Sequence, residues 1–458
     1  MTSRHTSDDQ KVAFTFEGRT LWARPGQSLA SALMEAGTTV LTRSFKYRRP
    51  RGYTCGYDIC PNCSLTVNGL PGVNACTTPV RGGEDVRRER GWPSTDFDVL
   101  QVADLASRFL SAGFQFRLFP SRPRLAHFAE RIMARVAGAS RFPSRAAADG
   151  LRTVTETARP DVLVIGGGLA GSAAAVGATA GGGSIILVNR GPLGGRARAR
   201  PGAVPWDGRS RPATEVADEL AAAVAAHDAI DVIDGTALSI FEGGVIPVLA
   251  GRRLIEMHPS RLIVATGSYD VPALFPGNDK PGVVLADGVS KMLQIEQVVP
   301  WRRAVILTDC ERGDLLAAQL ADAGVEVLAI VDQRGNMPPR NHLAGRVTAA
   351  WGFRKVRAVR VRAPDRVRTF RTDLLCIALR ERPAHELALQ ARYIAAGTPT
   401  AVPGGWTSDH GDPNEVSVVG SAAGWITDDP ERAHAVGAKS SVSLREMTTV
   451  RPPAPTNE

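Results

Sequence analysis

Four cysteines constrain this chain more than any other feature. Cys55, Cys60, Cys63 and Cys76 lie in the run CGYDICPNCSLTVNGLPGVNAC, spaced C-x4-C-x2-C with twelve residues before the fourth. Thiolates are soft ligands, and this spacing is one that holds a [2Fe-2S] cluster, with three ligands on one wrapping loop and the fourth on a later return. Zinc is the competing reading. It favours two C-x2-C knuckles or a Cys/His mixture, and this stretch has no histidine. A one-electron carrier restricts a chain to redox chemistry.

The 458 residues suffice for two to four domains, and 43% hydrophobic with 22% charged residues is ordinary for a globular protein. No apolar run approaches the length of a membrane span. The N-terminal MTSRHTSDDQKVAF has no apolar core segment, so no signal peptide is expected. Six cysteines, four of them bunched, suit a reducing compartment better than a disulfide framework, and a cytoplasmic location is expected. The net charge of +9 reads as a solvated surface, or as docking to acidic partner subunits or nucleotide phosphates. It permits a loose association with the inner face of a membrane without requiring one. No interleaved aromatic platform accompanies it, which argues against nucleic acid.

Residues 12–24 alternate apolar and polar around Glu17-Gly18 and predict a β-hairpin. Residues 28–36 have helical spacing and stop at Gly37, and after the cysteine loop a strand turns at Asn68-Gly69. This order of hairpin, helix, cluster loop and hairpin resembles the β-grasp of plant-type ferredoxins over residues 1–87. Residues 88–157 read as a helical connector, with helical periodicity over 99–114 and 124–138 broken by Pro120 and Pro123. From Pro160 strands and helices alternate. The expected fold class is α/β: the ferredoxin-like domain followed by a flavoprotein fold of two dinucleotide-binding, Rossmann-like domains. The first is expected over 158–300 and 386–448, and an inserted, degenerate NAD(P)-binding-like domain over 301–385. A frayed polar tail is expected over 449–458.

In VLVIGGGLAG, Gly166, Gly168 and Gly171 stand in G-x-G-x-x-G order between an apolar strand and an Ala-rich helix. The first glycine makes the tight turn, the second lets the backbone approach a pyrophosphate, and the third allows close helix–strand packing. The helix start, Leu169-Ala170, adds the anion site. The next strand ends in Asn189, where an acid for the ribose is expected, and Arg190 beside it would favour an extra phosphate. Three further segments fit a flavoprotein half: Gly194-Gly195-Arg196, the turn Ala265-Thr266-Gly267, and VSVVGSAAG, where Gly420 is followed by Ser421 in place of the usual aspartate. A second strand–turn–helix–strand lies at 304–332. Its turn, TDCERGD, has one glycine and three acids, which would repel a pyrophosphate and block its approach.

Taken together, SFKYRRPRGYTCG, GWPSTDFDVLQVADLASRFLSAGF, VIGGGLAG and VATGSYDVPALFPGNDKPGVVLADGV resemble the α-subunit of heterotetrameric sarcosine oxidase and its relatives. Those relatives include the flavin and iron–sulfur subunits of hydrogen cyanide synthase, opine oxidases and hydroxyproline dehydrogenases. The resemblance runs from about residue 12 to 445. It implies a separate catalytic FAD-dependent partner of the glycine or sarcosine oxidase type, and possible further small subunits. It implies electron relay through a flavin, FAD or an interface FMN, and a [2Fe-2S] cluster. The nucleotide on the first Rossmann unit can be FAD, NAD or an adenine nucleotide among such relatives. Within these 458 residues no folate-binding aminomethyltransferase-like domain is read, so folate trapping of a one-carbon unit is not expected.

Three functions remain open on the sequence: an electron-transfer subunit of an amine or amino-acid dehydrogenase, an NAD(P)H-linked flavin reductase, and a non-catalytic nucleotide-binding scaffold. No residue is assigned as catalytic, and His258, His410 and His434 stay unassigned. Cys310 and Cys376 read as core thiols. The basic run Lys46, Arg48, Arg49 and Arg51 is either a solvated loop or the lining of a passage between cluster and flavin.

Overall fold

The computed structural model describes residues 11–45, 47–105, 125, 127–128, 142–334, 339, 341–390, 416–423 and 430–438. Two compact units divide the chain: Met1–Gly150 with Asp270–Arg380, and Leu151–Tyr269 with Glu381–Glu458.

The first unit opens with the hairpin β1 (Val12–Phe16) and β2 (Arg19–Ala23), whose turn places Glu17 and Gly18 at positive φ. Helix α1 (Leu29–Glu35) follows. The Ser28 hydroxyl accepts from the Ser31 N–H at its start, and Leu29 and Leu33 are fully buried. The hairpin β3 (Ser64–Val67) and β4 (Leu70–Asn74) turns at Asn68-Gly69, and β5 (Asp85–Arg87) completes the sheet in the order β2-β1-β5-β3-β4. β5 runs parallel to β1 and antiparallel to β3, which is the expected β-grasp.

The second unit begins earlier than the sequence pattern suggested. Within the stretch read as a helical connector, β6 (Val154–Ala158) is a strand, paired in parallel with Arg253–Met257 at the edge of a four-stranded sheet. The predicted helices over 99–114 and 124–138 lie largely outside the described residues, as does the tail. Where it is described, Val102–Leu105 is helical. The main sheet of this unit is parallel. It contains β7 (Val162–Ile165), β8 (Ile185–Asn189), β9 (Ile230–Asp234), β10 (Arg261–Val264) and the strand Val416–Val418, in the order β9-β8-β7-β10 and then the last. Helix α2 (Leu169–Ala178) joins β7 to β8, and α3 (Ala213–Ala226) precedes β9. All four residues of β7 are buried, as a strand covered on both faces requires.

The remainder of the first unit is built on a second, parallel sheet, with a three-stranded antiparallel sheet of Arg346–Trp351, Ala358–Arg362 and Val367–Phe370 beside it in sequence. β11 (Val283–Leu285) leads into α4 (Ala286–Gln294), β12 (Arg303–Thr308) into α5 (Arg312–Asp322), and these are followed by β13 (Glu326–Asp332), β14 (Leu343–Ala344) and β15 (Leu374–Ala378). The order is β11-β15-β12-β13-β14. Because β11 pairs with β15, residues 270–300 pack with this inserted sheet, whereas the sequence pattern had grouped them with the first Rossmann unit. One hydrophobic core runs from Phe14 and Leu65 of the β-grasp to Val284, Met292 and Ile306 of the inserted sheet.

Candidate functional site

The four clustered cysteines converge. Cys55 and Cys60 Sγ lie 3.3 Å apart, and the Cys76 thiol is within hydrogen-bonding reach of both Cys55 and Cys63. Cys55, Cys63 and Cys76 are buried, Cys60 is half-buried, and none is in a disulfide. The loop turns on Gly56 and Asp58, both at positive φ, so that the N–H groups of Tyr57 and Ile59 point at the Cys55 sulfur.

This donor set fits a cationic centre. The hydrogen bond from Cys60, joined by one from Cys76, holds the Cys55 thiol well below the usual thiol range. The same contacts, with burial, push Cys60 and Cys76 far up. Packed alone, four such thiols must share protons. Positive charge at their centre would let all four ionise, and thiolate is the ligating form.

Helix α4 of the inserted sheet walls this loop. Tyr53 donates from its hydroxyl to the Gly288 carbonyl at 2.9 Å, and the Leu285 N–H donates to the Thr54 carbonyl at 2.9 Å. The approach needs glycine on both sides. A Cβ on Gly288 would lie 2.7 Å from the Thr54 oxygen, and one on Gly56 would lie 3.0 Å from the Gly288 Cα.

The basic run before the first cysteine fits neither expectation. Arg48 is buried, 3.1 Å from Asp98; Arg49 pairs with Asp104 at 2.7 Å, and Arg51 with Asp279 at 2.6 Å. These arginines are struts that tie the loop to neighbouring segments. Lys46 lies outside the described residues.

In the second unit the glycine turn is tightly built. A Cβ on Gly171 would fall 1.7 Å from the Gly166 carbonyl oxygen, and one on Gly166, at φ +103°, would fall 2.3 Å from the Ala265 carbonyl oxygen. Gly168 caps α2, and Leu169 and Ala170 are buried in its first turn. The Asn189 carboxamide is engaged by the turn itself. Its Oδ1 accepts from the Gly167 N–H at 2.8 Å, and its Nδ2 donates to the Gly191 carbonyl at 2.8 Å. Asparagine therefore braces the loop where an acid for the ribose was expected. Arg190 is exposed beside it.

Gly194 donates to the Gly167 carbonyl at 2.7 Å, bringing the Gly194-Gly195-Arg196 segment against the turn. Thr266 donates its hydroxyl to the Ala384 carbonyl, and the Gly267 carbonyl accepts from the Ala384 N–H. Gly420 is buried at positive φ and Ser421 half-buried at the start of a short 3-10 turn, Gly420–Ala423. One residue missed by sequence reasoning joins these segments. Glu381 accepts from Arg196 at 3.2 Å, from Arg200 at 3.0 Å and from Ser268 at 2.8 Å. No motif surrounds Glu381, so only the fold reveals it.

The second strand–turn–helix keeps the frame of a nucleotide turn without its cradle. Gly313 holds the third glycine position, its Cα so near Thr308 that a Cβ would lie 2.5 Å from that side chain. Thr308 and Cys310 occupy the first two. Asp332 ends β13 where a ribose acid would stand. It is buried, with Arg334 Nε at 2.9 Å and His342 Nδ1 at 2.7 Å from its Oδ2. Cys376 is fully buried in β15 and Cys310 half-buried, and burial raises both thiols. His434 packs edge-on against Trp206, and His410 lies outside the described residues.

Comparison with known proteins agrees with this geometry. Residues 9–91 match the 2Fe-2S iron-sulfur cluster binding domain, and residues 161–230 match the FAD binding domain. The sarcosine oxidase α-subunit of Rhizobium meliloti is 32% identical over 343 residues, covering 70% of this chain and 34% of that protein. The chain is a relative of the sarcosine oxidase α-subunits. An opine oxidase component from Agrobacterium tumefaciens is 30% identical over 38% of this chain and 36% of its own length. The chain spans about a third of the length of these curated relatives. Among solved structures, L-proline dehydrogenase from P. horikoshii superposes with a TM-score of 0.65 at 23% identity, over 94% of this chain and 72% of that one. That likeness concerns the fold. The architecture is thus a [2Fe-2S] ferredoxin-like domain joined to a flavoprotein fold, with a [2Fe-2S] cluster and FAD as cofactors. Among the described residues, no helix is long and apolar enough to cross a membrane.

Proposed function

We propose that this chain is the electron-relaying subunit of a heteromeric dehydrogenase or oxidase acting on C–N bonds, with a separate FAD-dependent protein oxidising the amine or amino acid. The observation that carries the reading is the presence, in one sarcosine oxidase α-like chain, of four converging thiols, three of them buried, and an FAD-type glycine turn. Cys55, Cys60, Cys63 and Cys76 would hold the [2Fe-2S] cluster. Gly166, Gly168, Leu169, Ala170 and Gly171 would take the pyrophosphate of FAD, with Gly194 to Arg196, Ala265 to Gly267, Gly420 and Ser421 around the remainder. FAD supplies two-electron chemistry and the cluster one-electron steps. The protein's part is to keep the thiolates ionised, aim backbone N–H groups at sulfur, and present the α2 N-terminus to phosphate.

The second glycine turn disfavours the NAD(P)H-linked reductase. Thr308 and Cys310 stand where glycines would admit a pyrophosphate, and Asp332 is already engaged by the Arg334 guanidinium and the His342 ring. Iron and released nucleotide are measured first on the purified chain, with about two irons and one FAD expected. Dye-linked amine oxidation is then assayed for the chain with and without any FAD-dependent oxidase-type protein encoded beside it. Full amine oxidation by the single chain would refute the relay role, and rapid bleaching of its flavin by NADH would favour the reductase.

A further inference from the structure

We propose that Lys291, on helix α4 of the inserted sheet, is a positioning residue that fixes the reduction potential of the cluster. The inference rests on the ligation proposed for the four cysteines and goes beyond it, since Lys291 is far from them in sequence and belongs to no cluster motif.

The Lys291 side chain is mostly buried, with 14% of its surface exposed. Its ammonium donates to the Cys76 carbonyl at 2.7 Å and to the Gly56 carbonyl at 3.0 Å. One of these carbonyls belongs to the last ligand, and the other follows the first. A single cation therefore ties the two ends of the ligand loop. It also lies 5.3 Å from the Tyr57 ring centroid. The nearest acid, Glu296, is 3.7 Å away through Oε1, while its Oε2 accepts from the Ser28 N–H at 2.9 Å and the Ser31 hydroxyl at 2.8 Å. Asp58, an acid that faces Cys63, accepts from Asn74.

Reduction adds one negative charge to a cluster already bound by four thiolates. A desolvated cation beside the loop stabilises that charge more than it does the oxidised form. Glu296 opposes the effect but divides its charge with α1. A clasp made only of hydrogen bonds would not need the cation, because a neutral amide donates to a carbonyl without the cost of burying charge. Charge and clasp are therefore separable.

The test is a mediated potentiometric titration of the iron-loaded chain, followed by the low-temperature EPR signal of the reduced cluster. Lys291→Gln keeps a donor and removes the charge. Its reduction equilibrium constant is expected to fall about tenfold, a midpoint about 59 mV lower. Lys291→Arg should restore the wild-type midpoint. Glu296→Gln, which removes the opposing charge, should move the midpoint upward, and it keeps the test decisive if Lys291→Gln fails to assemble. An unchanged midpoint in an iron-replete Lys291→Gln protein, or a Glu296→Gln midpoint that does not rise, would overturn the role of Lys291. Absence of iron from the wild-type chain would overturn the cluster assignment itself, a distinct result.

Discussion

Gly288→Ala tests whether the inserted sheet walls the cluster loop, because two calculable effects of opposite sign compete there. Gly288 lies in the first turn of α4 without a positive φ, so alanine suits its backbone. On an exposed helix the exchange would stabilise by about 1 kcal/mol. Here the new methyl would sit 2.7 Å from the Thr54 carbonyl oxygen and 3.1 Å from the Cys55 carbonyl carbon. A tolerable carbon–oxygen contact is about 3.3 Å, so α4 or the loop must retreat by about 0.6 Å. Both groups are backbone and have no rotamer to change. Overpacking of this kind costs about 1–3 kcal/mol; against backbone that cannot give, the upper part of that range, about 2–3 kcal/mol, applies, and less the propensity gain the predicted net loss is about 1–2 kcal/mol. At about 2–4 °C per kcal/mol, the first unfolding midpoint should fall by about 2–8 °C. The retreat begins beside Cys55, proposed as the first ligand, so iron content should fall as well. Scanning calorimetry and an iron assay on the same preparation read both. A raised midpoint with full iron would mean that helix propensity alone acts at Gly288, and the packing of α4 on the cluster loop would be refuted.

Three further outcomes follow from the same geometry. Cys76→Ser should abolish iron binding and the visible cluster absorption, whereas Cys310→Ser should retain both, as iron analysis and spectra of the two proteins would show. Gly171→Ala, whose methyl would fall 1.7 Å from the Gly166 carbonyl oxygen, should lose FAD while keeping its iron, read from nucleotide release and metal content. Burial alone would raise the Asp332 carboxyl, but the hydrogen bonds from Arg334 and His342 outweigh it and hold the group down to about 2. A depressed folded pKa stabilises above the unfolded value of about 4, and that contribution vanishes as pH falls toward about 2. Asp332→Asn should therefore be less stable by roughly 2 kcal/mol at neutral pH, with the difference from wild type shrinking below about pH 4 in chemical denaturation.

What could be read from the sequence was chemistry packed into short runs. The four cysteines and the Gly166–Gly171 turn each carry their whole rule within about twenty residues, so the β-grasp and the first Rossmann turn were legible before any fold was known. Residues 270–300 were harder to place. The pairing of β11 with β15 joins segments some ninety residues apart, and neither segment advertises the other. The basic run misled for a similar reason. Arg48, Arg49 and Arg51 look alike in sequence, and their roles are decided by acids at Asp98, Asp104 and Asp279. Lys291 and Tyr53 gave no signal either, since each acts through a backbone carbonyl that any residue could supply.

The two strand–turn–helix units show why the inserted sheet matters whatever its own turn binds. At Gly166 a side chain would collide with backbone, and Gly168 leaves the α2 N-terminus open to an anion. At the equivalent positions Thr308 turns its hydroxyl back to the Ala378 carbonyl at 3.0 Å, and the Cys310 sulfur lies 3.5 Å from the same oxygen. The strand and helix frame survives because Gly313 still lets α5 approach β12. That frame holds β11 in the sheet, and β11 runs directly into α4. The inserted sheet thus fixes α4, and α4 in turn supplies the Gly288 carbonyl to Tyr53 and the Lys291 ammonium to Cys76. A sheet with Thr308 and Cys310 at the first two turn positions still determines the surroundings of the four thiols, and perturbing it should be felt first in iron content and cluster potential.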